Sequence, residues 1–174
     1  MADTGIAPGD PGLQRRLRTA LEGEVRFDAF TRGLYSTDAS HYQIEPLGVV
    51  FPRTVADVEA TLEIAREDGV PVIPRGGGTS QCGQAIGRAV VMDTSRHLTE
   101  VGDGVDARSS SVPTPEELGL VDVPGGGGGT AVEIDVAPGV VLDHLNRLLS
   151  PHGLWFPVDP STGSRATLGG MAGN

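Results

Sequence analysis

The sequence predicts an α+β protein, on the strength of three observations. Two apolar runs, residues 47–52 and 70–73, are typical of buried strands, and the segment between them has the apolar spacing of a helix. Further along, residues 131–137 alternate apolar and polar side chains, which indicates a half-buried strand, and a second helical pattern follows. Aromatic residues make up only 4% of the chain, so small residues supply most of its apolar content. At 174 residues the chain is long enough to bury a sizeable core.

Two amphipathic helices are predicted in the first half of the chain. Leucines at positions 13, 17 and 21 have the i, i+4, i+8 spacing of a short helix. The second helix is predicted to begin after Thr54, a good N-cap, and to end at Gly69, with Pro71 just behind it. Four apolar residues are predicted to form its buried face: Val55, Val58, Leu62 and Ala65.

This second helix joins two strands that we expect to be parallel, because a strand–helix–strand connection normally makes a right-handed crossover. Further strands are predicted at residues 89–93 and 100–101. A glycine-rich segment, residues 74–84, follows the second strand of the unit at its carboxyl end. Open α/β sheets usually bind ligands at that end, so this segment is the first candidate site.

We divide the chain into an N-terminal extension with a short helix (1–24), a first subdomain (25–101), an insert (102–130) and the start of a second subdomain (131–174). The insert is rich in Asp, Ser, Pro and Gly and ends in five glycines, which favours a flexible linker. In the second subdomain, a helix ending at Gly153 and a strand-like run around Trp155 are predicted. Trp155 is expected in the core.

The glycine-rich segment has the composition of a phosphate site. Three consecutive glycines at 76–78 allow a sharp turn whose backbone N–H groups can form a concave site for an anion. The natural ligand is a phosphate or pyrophosphate, which makes a nucleotide cofactor the first hypothesis. The segment is not a Walker A loop, since Gln84 stands where lysine is needed, and Gln81 replaces the third glycine of a Rossmann fingerprint. Glycine content alone leaves a phosphate site and a plain surface turn both open.

Composition argues against several function classes. The chain holds 23 Asp and Glu against 13 Lys and Arg, a net charge of −10, so binding to nucleic acid or to an anionic membrane surface is not expected. We find no secretory signal and no apolar run long enough to cross a bilayer. A single cysteine excludes an internal disulfide and an all-cysteine iron–sulfur cluster within this chain, which favours an intracellular location. The four histidines are scattered and suggest no metal site.

Several segments together resemble a known family. They are residues 47–52, the helix after them, 74–84, 90–93, 136–139, 152–161 and 166–170. In order and spacing they resemble the FAD-binding domain of the vanillyl-alcohol oxidase superfamily, the PCMH-type FAD-binding fold. The resemblance is strongest to FAD-linked oxidases of D-2-hydroxy acids, such as D-lactate dehydrogenase, the glycolate oxidase FAD subunit and D-2-hydroxyglutarate dehydrogenase. It implies two α/β subdomains, the second of which is incomplete in this chain.

The resemblance also implies which residues hold the cofactor, FAD. In the resembled proteins, backbone amides of the glycine loop wrap the pyrophosphate, and residues of the second subdomain line the rest of the channel. The implied cofactor-binding residues are Pro74, Arg75, Gly76, Gly77, Gly78, Thr79, Ser80, Gly83, Gln84, Pro138, Gly139, Asp159, Pro160, Ser161, Thr167, Gly169, Gly170 and Asn174. Covalent members often attach the flavin to a histidine in this loop, and residues 76–80 contain none, so non-covalent FAD is expected.

The activity that the resemblance implies is oxidation of a D-2-hydroxy acid by hydride transfer to FAD. No catalytic or metal-binding residue is assigned, because the substrate-binding Arg and His residues of such enzymes come from later parts of the chain. We therefore expect this sequence to be the N-terminal part of a longer protein, and the alternative is a truncated nucleotide-binding fragment without catalysis. The lead-in at residues 34–40 resembles the bacterial branch with a C-terminal iron–sulfur module, which implies an iron–sulfur electron acceptor. The complete enzyme would be cytoplasmic or peripheral at the inner membrane.

Two residues of the loop have alternative interpretations. Arg75 either faces the pyrophosphate or pairs with a local carboxylate. Cys82 is either a redox-active or flavin-linking thiol, or a small and mostly buried residue that packs the loop. We favour the pyrophosphate for Arg75 and the packing role for Cys82.

Overall fold

A four-stranded sheet forms the centre of the first half of the chain. The computed structural model describes residues 5–123 and 131–173. It divides the chain into two units, Met1–Leu98 and Thr99–Asn174. The helices and strands of the first unit are α1 (Pro11–Ala20), β1 (Glu24–Arg26), α2 (Ala29–Leu34), β2 (Gly48–Phe51), α3 (Val55–Glu67), β3 (Val72–Arg75) and β4 (Val90–Asp93).

The strand order of this sheet is β1-β2-β4-β3. Strand β4 is parallel to both β2 and β3, and β1 is antiparallel to β2. All residues of β2 and β4 are buried, which matches their continuous apolar sequences and the burial of parallel strands on both faces. The predicted parallel arrangement of β2 and β3 is therefore confirmed, with β4 inserted between them.

The two faces of the sheet have different coverings. Alternate residues of a strand point to opposite faces, and Val50 of β2 belongs to the larger apolar cluster while Val49 belongs to a smaller one. The larger cluster includes Leu13 and Leu17 of α1 and Ala65 of α3. The smaller cluster consists of Val49, Phe51 and Val91, with Tyr35 packed against it.

Helix α3 begins and ends as predicted, but only part of its predicted apolar face is buried. The Thr54 side chain accepts a hydrogen bond from the Asp57 amide at 3.2 Å, and Gly69 adopts φ +65° after the helix. Val55 is 69% exposed and Leu62 is 47% exposed, so half of the predicted apolar face is wrong. The residues buried on this helix are Asp57, Thr61 and Ala65. Two polar side chains occupy the inner face because each has a hydrogen-bonding partner there, as described for Asp57 below.

The described part of the second unit contains two short antiparallel strand pairs, two α-helices and a 3₁₀ turn. Its elements are β5 (Glu100–Val101), β6 (Val105–Asp106), β7 (Val121–Val123), β8 (Ala131–Glu133), α4 (Leu142–Leu149), a 3₁₀ turn (Ser150–His152) and α5 (Leu168–Ala172). Strand β5 pairs with β6, and β7 pairs with β8. Helix α4 forms as predicted and directs four leucines inward: Leu142, Leu145, Leu148 and Leu149.

The prediction of a flexible insert at 102–130 is wrong for its described part, residues 102–123. This segment contains β6 and β7, and the side chains of Ala107 and Leu118 are fully buried in the core of the second unit. Composition misled the prediction, because buried positions are separated here by several polar and glycine residues. The five glycines at 125–129 lie outside the described residues.

The run at 154–157 does not form the predicted strand. Trp155 is 71% exposed, so its expected place in the core is also wrong. The Phe156 amide instead donates to the Asn146 side chain at 2.8 Å, which fixes the run against α4 without sheet pairing. Among the described residues, no helix is both long and apolar enough to span a membrane.

Candidate cofactor site

The glycine loop, defined here as residues 76–84, lies where strand β3 ends. Arg75 is the last residue of β3 and pairs with Asp93, the last residue of the parallel strand β4. The loop therefore starts at the carboxyl edge of two parallel strands, the position at which open α/β sheets bind ligands. It contains no helix or strand.

The backbone amides of the loop are available to a ligand. Within the part of the chain that the structure describes, none of the N–H groups of residues 76–81 donates a hydrogen bond. Gly78 adopts φ +64°, a backbone conformation that residues other than glycine rarely adopt. A run of unpaired N–H groups at a turn of this kind is a donor set suited to phosphate oxygens. The residues present thus fit the diphosphate of a nucleotide cofactor.

Side chains within the loop bond to one another. The Ser80 hydroxyl donates to the Gln84 side-chain oxygen and accepts from the Cys82 amide at 3.3 Å. Cys82 is exposed, so the expectation that it is a mostly buried packing residue is wrong. These bonds lie within residues 80–84 and leave the amides of residues 76–81 unpaired.

Arg75 directs its guanidinium back into the protein. Its Nη1 donates to the carbonyl oxygens of Thr37, at 2.8 Å, and Ala85, at 3.3 Å. The guanidinium carbon lies 5.0 Å from the centroid of the Tyr35 ring, in a cation–π contact. These groups are two carbonyls and a ring, so the local carboxylate considered as its partner does not bond to it.

A second segment, residues 35–42, packs against the loop, and sequence reasoning did not assign it a role there. The Asp38 carboxylate accepts from the Ser40 amide at 2.8 Å and from the Ala85 amide at 3.4 Å. Partial burial acts to raise the pKa of Asp38, but the hydrogen bonds from Ser40 and Ala85 outweigh it and the pKa lies below its ordinary value. Asp38 therefore carries its negative charge at neutral pH.

Tyr35 anchors the start of this segment. Its hydroxyl donates to the Asp93 carboxylate at 2.5 Å, and its ring meets Phe51 edge-to-face with centroids 5.8 Å apart. The pKa of Tyr35 is raised above its ordinary value, mainly by burial and secondly by the hydrogen bond to Asp93. The neutral hydroxyl is thus the donor to the carboxylate.

The predicted residues of the second unit fall into two groups. Pro138 and Gly139 form a turn, and the Pro138 carbonyl accepts from the Gly169 amide at 2.9 Å. Thr167 caps α5 by accepting from the Gly170 amide at 3.3 Å. A Cβ placed on Gly169 would lie 2.6 Å from the Cβ of Pro138, so a small residue is needed there. The structure therefore brings these residues together.

The other predicted residues of the second unit lie on a turn that is largely exposed. Asp159 and Ser161 are exposed, and the Pro160 carbonyl accepts from the Gly163 amide at 3.2 Å. Asn174 lies outside the described residues. Among the residues that are described, no cluster of His, Cys, Asp and Glu has the geometry of a metal site.

An open cleft of about 620 Å³ lies beside α2 in the first unit. Its lining includes Phe30, Asp93 and Arg96, and none of the predicted cofactor residues. Asp93 already bonds to Tyr35 and Ser95, and Arg96 to Glu24 and the face of Phe51. The polar groups of the cleft are occupied by the protein, so the glycine loop is the better candidate site.

Comparison with known proteins agrees with this geometry. A family model described as an FAD binding domain matches residues 46–112 and 128–174. D-2-hydroxyglutarate dehydrogenase from Haemophilus influenzae is 35% identical over 154 residues, covering 87% of this chain and 13% of that protein. The Escherichia coli protein of the same name is 35% identical over 162 residues, covering 91% of this chain and 14% of that protein. The chain thus spans only about one seventh of the length of these relatives.

A solved structure of alkyldihydroxyacetonephosphate synthase is similar in fold, with a TM-score of 0.63 and 20% identity, covering 92% of this chain and 29% of that one. This likeness confirms the predicted PCMH-type FAD-binding fold. The match to the family model extends over the strand–helix–strand unit, the glycine loop and the segment that contains Pro138 and Thr167. The chain therefore belongs to the FAD binding domain family.

Proposed function

We propose that this chain supplies the FAD-binding part of an oxidoreductase that oxidises a D-2-hydroxy acid. The observation that carries the proposal is the set of unpaired loop amides at residues 76–81, on a chain 35% identical to two D-2-hydroxyglutarate dehydrogenases. The amides supply the donors that an FAD diphosphate needs. The names of the relatives support the substrate class.

In this proposal, the backbone of the glycine loop binds the diphosphate. Bound FAD would supply the acceptor for the hydride from the α-carbon of the substrate. The other contacts are proposed for the two groups of the second unit, the Pro138–Gly139 turn with Thr167, Gly169 and Gly170, and the turn with Asp159, Pro160 and Ser161. No residue of this chain is assigned to acid–base catalysis.

The FAD is proposed to be non-covalent. Residues 76–80 contain no histidine that could attach the flavin. Cys82 is exposed, and a cysteine thiol could also attach the flavin, so Cys82 is the residue to check. A flavin that is released by denaturation without proteolysis would support the proposal, whereas a flavin-bearing peptide containing Cys82 would contradict it.

Two finer proposals concern the surroundings of the enzyme. The resemblance of residues 34–40 to the bacterial branch with an iron–sulfur module suggests an iron–sulfur module or subunit as the electron acceptor. A cytoplasmic location, with peripheral attachment at the inner membrane, would suit transfer of those electrons to a membrane acceptor. Both proposals depend on the oxidoreductase assignment.

Native mass spectrometry of the protein purified from its own source tests the proposal. The expected mass is that of the chain with one dissociable FAD. In absorbance spectra of the same sample, D-2-hydroxyglutarate should bleach the flavin under anaerobic conditions. L-2-hydroxyglutarate serves as the control substrate and should leave the flavin oxidised. Bound FAD that no D-2-hydroxy acid reduces would contradict the substrate class, and a protein without flavin would contradict the function altogether.

A further inference from the structure

We infer that the Arg75 side chain is a positioning residue, which fastens the glycine loop to the segment 35–42 and so holds the loop amides ready for the diphosphate. The inference rests on the proposed function, because the ligand in question is FAD. It differs from the expectation that the Arg75 charge itself faces the pyrophosphate. Three sets of contacts support it.

The first set joins the two ends of the loop. Arg75 lies just before the loop, and its Nη1 donates to the carbonyl of Ala85, just after the loop, at 3.3 Å. The same nitrogen donates to the carbonyl of Thr37 at 2.8 Å. Both hydrogens of Nη1 are therefore used in holding three chain segments together. A guanidinium suits this role because its donors are fixed in a plane.

The second set fixes the guanidinium itself. It stacks over the Tyr35 ring at 5.0 Å, and that ring is held by Asp93 and Phe51. The guanidinium also lies close to Gly78, since a Cβ placed on Gly78 would be 2.5 Å from Arg75 Nη2. The side chain is thus packed directly against the backbone of the loop, and glycine at position 78 is what allows this approach.

The third set ties segment 35–42 to the loop through bonds that the Arg75 side chain does not itself make. The Ala39 amide donates to the Gly78 carbonyl at 3.2 Å, and the Asp38 carboxylate accepts from the Ala85 amide at 3.4 Å. A Cβ placed on Gly83 would lie 2.8 Å from the ring of Tyr42. Segment 35–42 therefore contacts the loop near its middle and at its far end.

These contacts have a consequence for affinity. A glycine-rich loop with unpaired amides has many accessible conformations, and only some of them point several N–H groups at one anion. Apparent affinity falls in proportion to the fraction of molecules in the competent conformation. Loss of the Arg75 bonds should lower that fraction to about a tenth and raise the Kd for FAD roughly tenfold.

The experiment is FAD titration of the 174-residue chain at low and high KCl, with Arg75→Lys and Arg75→Met as variants. Arg88→Met is the matched control, because Arg88 is an exposed arginine just beyond the loop and its loss changes the net charge equally. If Arg75 positions the loop, Lys and Met should both weaken binding roughly tenfold, since a lysine ammonium does not reproduce the planar fork. The Arg75→Met variant should then show the same salt response as Arg88→Met.

The inference would be overturned if lysine at position 75 restored the affinity. It would also be overturned if Arg75→Met lost a salt response that Arg88→Met keeps, because either result would show a direct charge contact. Amide exchange of Ala39 and Ala85 in the FAD-free chain separates this failure from failure of the proposed function. Both amides should exchange faster in Arg75→Met than in Arg88→Met, even if the wild-type chain binds no FAD. Equal exchange in the two variants would overturn the positioning role by itself.

Discussion

Asp57 is a buried carboxylate that organises two turns of the first unit. Its side chain accepts hydrogen bonds from the backbone amides of Glu22, at 2.8 Å, Gly23, at 3.0 Å, and Arg53, at 2.8 Å. It lies in the first turn of α3, where a negative charge is favourable at the positive end of the helix. One side chain thus fastens the start of α3 to the turn between α1 and β1.

Replacing Asp57 with Ala should destabilise the first unit by about 3 kcal/mol, because it removes the acceptor of three amides at once. Asp57→Asn keeps one oxygen acceptor and should lose about half as much. Urea unfolding followed by circular dichroism measures both effects. Glu59→Ala, an exposed change on the same helix, is the control and should shift stability by less than about 0.5 kcal/mol. Equal effects of Asp57→Ala and Glu59→Ala would refute this role.

Asp106 gives the second unit a pH dependence at acid pH. Hydrogen bonds from the Arg108 side chain, then from its backbone amide, lower the pKa of Asp106 to about 2 from 3.8. A depressed folded pKa means that the stabilisation is complete above about pH 4 and is lost as the pH falls towards about 2. The Asp106 side chain is 48% exposed, so solvent screening limits the effect to at most about 1 kcal/mol.

Asp106→Asn should therefore flatten the loss of stability between about pH 4 and pH 2. Arg108→Met should flatten it similarly, and the double variant should add little, because both changes remove the same interaction. Thermal unfolding at a series of pH values provides the measurement. An unchanged acid dependence in Asp106→Asn would assign that dependence to other carboxylates.

At the scale of elements, local signals predicted the limits of helix α3 well. The strand predicted at 131–137 extends only over Ala131–Glu133, and the one around Trp155 does not form. The Thr54 cap and the Gly69 stop mark the limits of α3 in both sequence and structure. The buried face of α3 was predicted less well, because hydrophobic spacing assigns no inward place to a polar residue. Asp57 and Thr61 are buried because they find partners, the Thr61 hydroxyl donating to the Asp57 carbonyl at 2.7 Å.

The candidate site shows the same division between local and long-range information. Gly76, Gly77 and Gly78 are contiguous in sequence and could be recognised as a loop that suits a phosphate. The bond of Asp38 to the Ala85 amide spans 47 positions, and that of Tyr35 to Asp93 spans 58. Nothing in the residue types at these positions specifies such partners, so the supporting segment emerged only from the fold.

The segment 102–123 allows a direct test at the element scale, because composition and structure assign it opposite roles. Leu118 is fully buried in the core of the second unit. Leu118→Ala should therefore cost about 2 to 5 kcal/mol, as large-to-small changes in cores do. Val112→Ala, a change at a residue that is 68% exposed in the same segment, should be nearly neutral. Thermal or urea unfolding distinguishes the two, and a neutral Leu118→Ala would restore the interpretation of a flexible insert.

For the whole molecule, charge sets a constraint on how the cofactor is bound. The chain carries a net charge of −10, and the diphosphate of FAD is also negative, so long-range attraction does not favour their association. Binding must come from short-range donors, and the loop amides are the donors that the first unit offers at the end of β3. Cofactor binding should then be sensitive to the loop backbone and insensitive to distant charges.

The coupling between FAD binding and the stability of the whole chain tests whether the loop backbone binds the cofactor. Free FAD at one hundred times its Kd should raise the free energy of unfolding by about 2.7 kcal/mol. Gly78→Ala should abolish this gain, because alanine disfavours φ +64° and its Cβ would meet the Arg75 guanidinium at 2.5 Å. Gly69→Ala is the matched control, since Gly69 has φ +65° and no atom within 4 Å of a placed Cβ.

Both glycine variants should lose about 1 kcal/mol without FAD, because each forces alanine into a left-handed conformation. Gly78→Ala should lose more, because its Cβ also displaces the Arg75 guanidinium. With FAD, Gly69→Ala should recover the full stabilisation while Gly78→Ala recovers little, which separates loss of the site from loss of the fold. Riboflavin, which lacks the diphosphate, should stabilise neither the wild type nor the variants appreciably. Equal FAD stabilisation of the two variants would show that the loop does not bind the cofactor. Stabilisation by riboflavin would show that the diphosphate is not the part of FAD that the chain recognises.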